Sequence, residues 1–275
     1  MGVKPKALVI TAPGINCDAE LSQAFAAAGA EPESVLLNAL EREPSRVDRY
    51  ALIGLPGGFS YGDDVAAGRI MAALMRERVY PALAAAIERS VPMICPCNGF
   101  QIAVQAGLLP GAQAGEWPRD AARPTVALCQ NQGARFHDAW TRVSIPSDTR
   151  CIWTRGLVIE PETDLMPSAH GEGRFVTDEL TLRALQANGQ IAVRYGDGEN
   201  FNGSLDSIAG ICDPSGLVFG LMPHPERFTR FTQHPWWTRL SPQQRTGEPL
   251  GLRMFRQAVT WATERARGKP ALAEA

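Results

Sequence analysis

The sequence predicts an α/β fold with a mostly parallel sheet, helices on both faces of the sheet and extra antiparallel strands in the second half of the chain. Before Pro110, short apolar runs alternate with helical patterns, which is typical of a parallel sheet covered on both faces. After residue 124, strand-like runs follow one another closely, and the four-residue turn 213–216 joins the last two. Such a turn indicates a hairpin and therefore antiparallel pairing.

The first half of the chain provides four strands and four helices. Residues 6–11 form a short apolar run typical of a buried strand. Leu21 and Phe25 then repeat at helical spacing, and Gly29 stands where a helix ends. The remaining predicted strands are 34–38, 51–55 and 92–95, and the remaining predicted helices are 70–79, 81–89 and 98–106.

The second half of the chain is richer in strands. They are predicted at residues 126–129, 141–145, 157–159, 191–195, 207–212 and 217–222. A final helix is indicated by apolar residues at spacings of three and four, namely Leu252, Phe255, Val259 and Ala262. We expect one domain over residues 1–267, with 233–250 as an insert-like loop and 268–275 as a disordered tail.

The composition excludes several classes of protein. The 275 residues include 27 basic and 29 acidic side chains, a net charge of −2, whereas nucleic-acid and anionic-membrane binders need an excess of clustered Lys and Arg. No apolar run approaches the roughly 20 residues of a membrane helix. The six cysteines contain no C-x-x-C pair and suggest no disulfide framework. We therefore expect a cytoplasmic globular protein.

The most informative local feature is Cys97, which lies between a buried strand and a helix that begins at once. A side chain at such an apex is presented above the carboxyl edge of the sheet, where open α/β sheets place their sites. The positive end of the following helix favours the thiolate. A buried structural cysteine is the alternative for this residue taken alone.

A second feature is the pair His224 and Glu226, which follows an apolar strand. If the segment stays extended, the two side chains project to the same side. Pro223 and Pro225 favour that conformation, since each biases the preceding residue away from helix. A carboxylate behind an imidazole orients it as the base of a nucleophile. A surface loop with an unconnected His–Glu pair is the alternative.

Ser60 is a rival nucleophile, because residues 58–62 match the G-x-S-x-G pattern of serine hydrolases. It falls about five residues beyond its strand, however, whereas that motif requires the strand to enter the turn at the serine. The glycines before it are better used as backbone donors to an oxyanion. The small-residue loop at His170 suits a polar substrate or a plain turn. Asp63, Asp64 and Glu20 lack metal-ligand spacing, so no dedicated metal is predicted.

Taken together, these segments resemble class I, or triad-type, glutamine amidotransferases, and within that class the glutaminase subunits of phosphoribosylformylglycinamidine synthase. The runs that carry the resemblance are LPGGFSYGD at 55–63, CNGFQ at 97–101, AHGEGR at 169–174, NGS at 202–204 and MPHPER at 222–227. They occur in the family's order and span most of the chain. The resemblance implies a flavodoxin-like sheet.

The resemblance also implies roles for residues of this chain. Cys97 attacks the carboxamide of glutamine, His224 carries the proton and Glu226 orients His224, while the backbone N–H groups of Gly58 and Asn98 form the oxyanion hole. The implied glutamine-binding residues are Gln101, Asn131, Arg135, Phe136 and His170. No cofactor is implied on this chain. ATP and Mg²⁺ are expected on the synthetase partner, which accepts the ammonia.

The chain departs from the family pattern in two ways. The family places Gly two residues before the nucleophile, whereas this chain has Cys95 there, followed by Pro96. Cys95 is therefore the first alternative nucleophile to exclude. The segment 233–250 is also longer than compact stand-alone subunits need and is more like the end of the fused, single-chain synthase.

Two other classes of function remain open at this level. One is a partner-independent hydrolase or protease that uses Cys97 or Ser60, which would cleave peptides or esters without a synthetase. The other is a non-enzymatic binding module with a vestigial site. The complete set of Cys97, His224 and Glu226 argues against the module.

Overall fold

A nine-stranded sheet runs through the centre of the protein, in a computed structural model that describes residues 4–112 and 115–267. The strands in chain order are β1 (Lys6–Thr11), β2 (Glu31–Leu36), β3 (Leu52–Gly54), β4 (Met93–Pro96), β5 (Val126–Cys129), β6 (His137–Ser144), β7 (Leu165–His170), β8 (Arg174–Thr177), β9 (Ile191–Tyr195), β10 (Ile208–Cys212) and β11 (Val218–Leu221). Strands β5 and β8 pair separately as a two-stranded antiparallel ribbon.

The order of strands in the large sheet is β2-β1-β3-β4-β11-β10-β9-β6-β7. Neighbours from β2 to β11 are parallel, and neighbours from β11 to β7 are antiparallel. The predicted hairpin between the last two strands is confirmed, because Gly210 pairs with Leu221 in antiparallel register. The predicted α/β sheet with antiparallel strands added by the second half is therefore confirmed.

The helices in chain order are α1 (Asp18–Ala28), α2 (Leu37–Arg42), α3 (Arg69–Arg78), α4 (Tyr80–Glu88), α5 (Asn98–Gln105), α6 (Glu179–Ala187) and α7 (Leu250–Ala266). Of the helices described, none combines the length and the apolar character needed to cross a bilayer.

Helices cover both faces of the sheet, as two glycines demonstrate. A Cβ on Gly54 in β3 would meet Leu21 and Phe25 of α1, and a Cβ on Gly220 in β11 would meet Phe100 of α5. Gly54 pairs with Ile94 of β4, and Ile94 pairs in turn with Phe219 of β11, the residue before Gly220. Gly54, Ile94 and Phe219 therefore face one side of the sheet, and Gly220 faces the other. Because successive residues of a strand face opposite sides, α1 and α5 lie on opposite faces.

Helix α1 is delimited by local signals at its two ends and packs against helix α7. Helix α1 begins with acidic residues in its first turn and ends at Gly29, whose φ of 104° suits a residue without a side chain. Its buried Phe25 makes edge-to-face contacts with Trp153 and with Phe255 of α7, at centroid distances of 6.5 and 5.2 Å. Edge-to-face contacts stabilise the packing of these large side chains beyond what their burial alone contributes.

The second half of the chain contains most of the differences from the sequence-based prediction. Residues 157–159 form no strand, since Leu157 and Ile159 pack against the core from a loop. Strands β7 and β8 and helix α6 were not predicted. The segment 233–250 starts at the end of the 3₁₀ helix Phe231–Gln233, contains the 3₁₀ helix Trp237–Arg239 in a loop, and ends at the first residue of α7. The predicted tail at 268–275 lies outside the described residues.

Candidate active site

The carboxyl ends of four adjacent parallel strands converge on one edge of the sheet. Cys17 lies after β1, Gly57 after β3, Cys97 after β4 and His224 after β11, and these strands are neighbours in the order β1-β3-β4-β11. Ligand sites of open α/β sheets lie at this edge. The topology therefore brings together residues that are more than two hundred positions apart in the chain, such as Cys17 and His224.

Cys97 occupies a strained turn between β4 and α5. Its φ of 50° and ψ of −110° place a non-glycine residue in a rarely populated region, which is typical of a nucleophile at a strand-to-helix turn. Its N–H donates to the carbonyl of Leu221 at 2.7 Å. A Cβ on Gly99 would collide with the carbonyl oxygen of Leu55, so only glycine lets α5 start this close to β3. The turn forms with Cys95 and Pro96 in place.

His224 and Glu226 are joined by a buried hydrogen bond. Nδ1 of His224 lies 2.7 Å from Oε1 of Glu226, and the two side chains are 2% and 0% exposed. The backbone N–H of His224 donates to the carbonyl of Pro167 in β7. His224 itself is non-helical, with φ −109° and ψ 85°, as expected of a residue before proline, but the extended conformation does not continue, because Pro225–Arg227 forms a 3₁₀ helix. The helix still brings the two side chains together.

The surroundings of His224 favour its charged form. Burial alone would lower the pKa of the imidazole, but the Glu226 carboxylate and the nearby Cys97 raise it well above its ordinary value. The thiol of Cys97 donates to the carbonyl oxygen of Ala169 at 3.7 Å, and the thiol of Cys17 donates to Oδ1 of Asn16 at 3.3 Å. Because Nδ1 is occupied by Glu226, Nε2 is the ring nitrogen available for proton transfer. The arrangement suits a thiolate–imidazolium pair.

The loop after β3 places Gly58 in the wall of the same cavity as Cys97. Gly58 has φ 142°, and a Cβ there would lie 2.7 Å from the backbone nitrogen of Asn16, so the position requires glycine. Within the described residues, the N–H groups of Gly58 and Asn98 make no hydrogen bond. Both groups are therefore available to an oxyanion.

The side chain of Asn98 links this loop to the turn between β4 and α5. Asn98 accepts a hydrogen bond from the backbone N–H of Ser60 at 3.1 Å and donates to Asp63 and Gln101 at 3.0 and 2.9 Å. Asn98 is fully buried. It fixes the position of the Gly58 loop relative to the first turn of α5.

The thiol of Cys97 and the imidazole of His224 open into a cavity of about 420 Å³. Three of the predicted glutamine-binding residues, Gln101, Phe136 and His170, line it. Its charged lining residues are Asp63, Asp138, Glu172 and Arg227.

Asn131 and Arg135 are absent from the cavity wall. Asn131 is buried and uses its side chain to hold the turn after β7: Oδ1 accepts from the N–H of Gly173 and from His170, and Nδ2 donates to the carbonyls of His170 and Arg135. Arg135 is exposed. Asn131 thus shapes the cavity through His170.

His170 forms a neutral part of the wall. Its Nδ1 lies 3.1 Å from Oδ1 of Asn131, so Nδ1 carries the proton, and its Nε2 accepts from the hydroxyl of Tyr195 at 3.4 Å. Burial lowers the pKa of His170 to about 3. The residue therefore presents a fixed, uncharged imidazole to the cavity that Cys97 and His224 also line.

The two rival nucleophiles lack activation. Ser60 lies on a 3₁₀ turn, and its buried Oγ has no hydrogen-bond partner in the part of the chain that the structure describes. Cys95 is fully buried on β4, and burial raises the pKa of its thiol far above the ordinary value.

Sequence reasoning missed Cys17 and Arg227. Cys17 is 2% exposed, and its Sγ accepts a hydrogen bond from Nη2 of Arg227 at 3.1 Å. Arg227 also lies 3.8 Å from a carboxylate oxygen of Glu20. The signal that could have revealed Cys17 is its position after β1. The carboxyl end of that strand lies at the same edge of the sheet as the carboxyl end of β4, which Cys97 follows.

Comparison with known proteins identifies relatives over most of the chain. Residues 4–262 match the family model of the CobB/CobQ-like glutamine amidotransferase domain. A protein of Dehalococcoides mccartyi named phosphoribosylformylglycinamidine synthase subunit PurQ is 37% identical, over 95% of this chain and 99% of its own. A protein of the same name from Corynebacterium jeikeium is 42% identical, over 79% of this chain and 86% of its own.

A solved structure has the same architecture. A chain in the structure of PurLQS from Thermotoga maritima superposes with a TM-score of 0.68 at 32% identity, covering 94% of this chain and 99% of that one. The Dehalococcoides relative is named a subunit although it matches nearly the whole of this chain. The length of segment 233–250 therefore does not by itself indicate a fused synthase.

Proposed function

The chain belongs to the PurQ family of phosphoribosylformylglycinamidine synthase subunits, and on this premise we propose how its own residues carry out the reaction. It is the glutaminase component, which hydrolyses glutamine to glutamate and ammonia. The ammonia passes to the synthetase partner, which converts formylglycinamide ribonucleotide to formylglycinamidine ribonucleotide with ATP in de novo purine biosynthesis. The observation that carries the residue assignment is the buried His224–Glu226 pair beside the thiol of Cys97.

Acylation begins when the Cys97 thiolate attacks the carboxamide carbon of glutamine. The carbonyl oxygen becomes an oxyanion, which the N–H groups of Gly58 and Asn98 stabilise; one such donor contributes about 3 kcal/mol in the transition state. The intermediate collapses as the imidazolium of His224 gives its Nε2 proton to the leaving nitrogen. The products are ammonia and a γ-glutamyl thioester on Cys97.

Deacylation reverses the role of the imidazole. Neutral His224 takes a proton from water, which attacks the thioester carbonyl, and the same two N–H groups stabilise the second oxyanion. The thiolate of Cys97 then leaves, glutamate departs and the imidazolium is restored. Glu226 keeps the Nδ1 proton in place through both steps, so that Nε2 always faces the reacting atoms.

The cavity suits the amino-acid end of glutamine. It holds three carboxylates and one guanidinium, from Asp63, Asp138, Glu172 and Arg227, which match the ammonium and carboxylate groups of the substrate. We propose that Gln101, Phe136 and His170 contact glutamine directly. Asn131 acts through His170, and nothing in the geometry supports direct contact by Arg135.

No cofactor is proposed for this chain, and ATP with Mg²⁺ is assigned to the synthetase partner. A cytoplasmic location is also part of the proposal. The six cysteines, all unpaired, support a reducing compartment.

The decisive experiment assembles the chain with its synthetase partner and compares glutamine with ammonium salts as nitrogen source. Cys97→Ala is expected to abolish glutamine-dependent synthesis and to leave ammonia-dependent synthesis intact. Cys95→Ala, a thiol two residues away, is the matched control, and Ser60→Ala tests the serine alternative; both should retain glutamine use. Glutamine-dependent synthesis by the Cys97 variant would refute the assignment.

A further inference from the structure

The thiol of Cys17 lies against the catalytic histidine and glutamate. Its Sγ, a ring nitrogen of His224 and a carboxylate oxygen of Glu226 lie within 4.8 Å of one another. A Cβ built on Gly57 would lie 3.3 Å from this sulfur and 2.8 Å from Cε1 of His224, so the sulfur and the ring adjoin the same small volume. The backbone N–H of Cys17 donates to the carbonyl of Gly57 at 3.3 Å. Cys17 is therefore a fixed, buried neighbour of two triad residues.

The Cys17 thiol uses both its donor and its acceptor capacity. The S–H group donates to Oδ1 of Asn16 at 3.3 Å, and Sγ accepts from Nη2 of Arg227 at 3.1 Å. A thiol that donates its proton is neutral, so it holds the guanidinium without cancelling its charge. Arg227 also lies 3.8 Å from Oε1 of Glu20, but both side chains are about one-third exposed, and such surface pairs are weak. The sulfur is therefore the main anchor of Arg227.

Glu226 offers a competing partner for that guanidinium. Its Oε1 accepts from Nδ1 of His224 at 2.7 Å, whereas its Oε2 is buried and has no hydrogen-bond partner in the described part of the chain. A buried carboxylate oxygen without a partner is costly, and guanidinium pairs well with carboxylate. Arg227 is the next residue of the same 3₁₀ helix. Since its anchoring sulfur lies within 4.8 Å of a carboxylate oxygen of Glu226, the guanidinium has only a short distance to cross.

Pairing of Arg227 with Glu226 would disable the imidazole. The carboxylate raises the pKa of His224 and so maintains the imidazolium that gives its proton to the leaving nitrogen. A guanidinium on the same carboxylate would cancel that charge and would repel a second cation. The other titratable groups of the cavity wall, among the described residues, are Cys17, Cys97, His170, Asp63, Asp138 and Glu172.

We propose that Cys17 is a positioning residue, whose sulfur anchors the guanidinium of Arg227 and so keeps it from pairing with Glu226. The carboxylate is thereby reserved for His224, and the guanidinium stays in the cavity wall. Cys17 takes no part in the chemistry, since its thiol keeps its proton and both of its hydrogen-bond partners. The role rests on the proposed function, because it acts through the proton carrier of that reaction.

The test is a double-mutant cycle between Cys17 and Arg227, measured as glutamine-dependent synthesis with the synthetase partner. Cys17→Ala removes the anchor and is expected to lower kcat/KM about tenfold, and to move the alkaline limb of its pH profile down by about one pH unit, as the imidazolium loses its proton more easily. In the Arg227→Gln background no guanidinium can reach Glu226, so the same substitution should lower kcat/KM by less than about twofold and leave the limb in place. Any loss caused by Arg227→Gln itself is common to both members of that pair.

Three further variants separate anchoring from packing. Cys17→Val fills the space without accepting a hydrogen bond and should reproduce the loss of Cys17→Ala. Cys17→Ser keeps an acceptor for the guanidinium and should stay within about threefold of the wild type. Cys129→Ala removes a thiol on β5 outside the cavity lining and should match the wild type. Co-elution with the synthetase partner in gel filtration checks that each variant folds and assembles.

The contrary outcomes are distinct from a failure of the proposed function. An equal loss from Cys17→Ala in both backgrounds would overturn the positioning role, because a sulfur that only fills space acts independently of Arg227. An alkaline limb that stays in place, or wild-type kinetics in Cys17→Ala and Cys17→Val, would overturn it too. The proposed function fails on a different result, namely glutamine-dependent synthesis that survives in Cys97→Ala.

Discussion

Replacing Glu226 by Gln is expected to lower glutamine-dependent turnover by about a thousandfold. The glutamine side chain has the same shape, and its oxygen can still accept the hydrogen bond that Nδ1 of His224 now donates over 2.7 Å. The substitution therefore removes the negative charge and little else. Both side chains are buried, so water does not replace the lost interaction.

The magnitude follows from the position of that charge. Two unit charges about 4 Å apart interact by about 4 kcal/mol at an effective dielectric constant of about 20. The imidazolium of His224 exists when the thiolate attacks, so this stabilisation is lost in the transition state. A loss of about 4 kcal/mol corresponds to about a 10³-fold lower rate.

The assay compares glutamine-dependent and ammonia-dependent synthesis with the partner subunit present. Glu226→Gln should lower the first about a thousandfold and leave the second unchanged, and Glu226→Ala, which also removes the hydrogen bond, should lower the first at least as much. A loss smaller than about tenfold in Glu226→Gln would refute the electrostatic role of the carboxylate. An equal loss with ammonia would indicate a failure of folding or assembly instead.

Three further predictions concern the surroundings of the triad. Gly57→Ala places a Cβ 2.8 Å from Cε1 of His224 and, by displacing the ring, should lower kcat with glutamine about a hundredfold. Asn98→Ala leaves the backbone N–H of Ser60 without its acceptor and should lower the free energy of unfolding by about 2 kcal/mol in urea titrations. His170 stays neutral in the folded state down to a pKa of about 3, whereas an unfolded imidazole takes up a proton below about pH 6.5. Its contribution should therefore lower stability as pH falls below about 6.5, by up to about 1.4 kcal/mol per pH unit, and should vanish in His170→Gln.

Each of these predictions has a contrary result. Wild-type glutamine turnover in Gly57→Ala would mean that the ring of His224 has room to move. Unchanged stability in Asn98→Ala would mean that the loop after β3 does not depend on that hydrogen bond. An equal slope of stability against pH, for the wild type and His170→Gln between about pH 5 and pH 6.5, would mean that His170 is not neutral in the folded state.

The parts of the fold that depend on local pattern could be predicted from the sequence. Strand β1 is a short apolar run, and helix α1 ends at a glycine with positive φ. Both signals lie within a few residues and need no distant partner. The placement of Cys97 and His224 at the same edge of the sheet could be predicted for the same reason, since each follows a recognisable strand.

The missed elements depend on tertiary pairing or on signals that were overlooked. Strand β7 contains Pro167 in its middle, which argues against a strand, yet the pairing with β6 extends from Leu165 to His170. The start of helix α6 could have been predicted, because Asp is a preferred N-cap residue. In the structure Asp178 accepts a hydrogen bond from the N–H of Thr181 in that position. Residues 157–159 were mistaken for a strand because an apolar run also suits a loop packed on the core.

The sequence predicted that Cys97, His224 and Glu226 lie together, but it did not predict which residues support them. Asn131 was expected to contact substrate but holds His170 instead, a role that only the hydrogen-bond network reveals. Cys17 and Arg227 escaped notice because their contact joins residues 210 positions apart. No local pattern encodes such a distance.

The most direct test of the account is to treat the wild-type chain with an electrophilic glutamine analogue, such as a diazoketone, and to map the adduct by peptide mass spectrometry. The account predicts a single adduct on Cys97, formed rapidly in the wild type and much more slowly in Glu226→Gln. An adduct on Cys17, Cys95 or Ser60, or none at all, would contradict the assignment of Cys97 as the activated nucleophile.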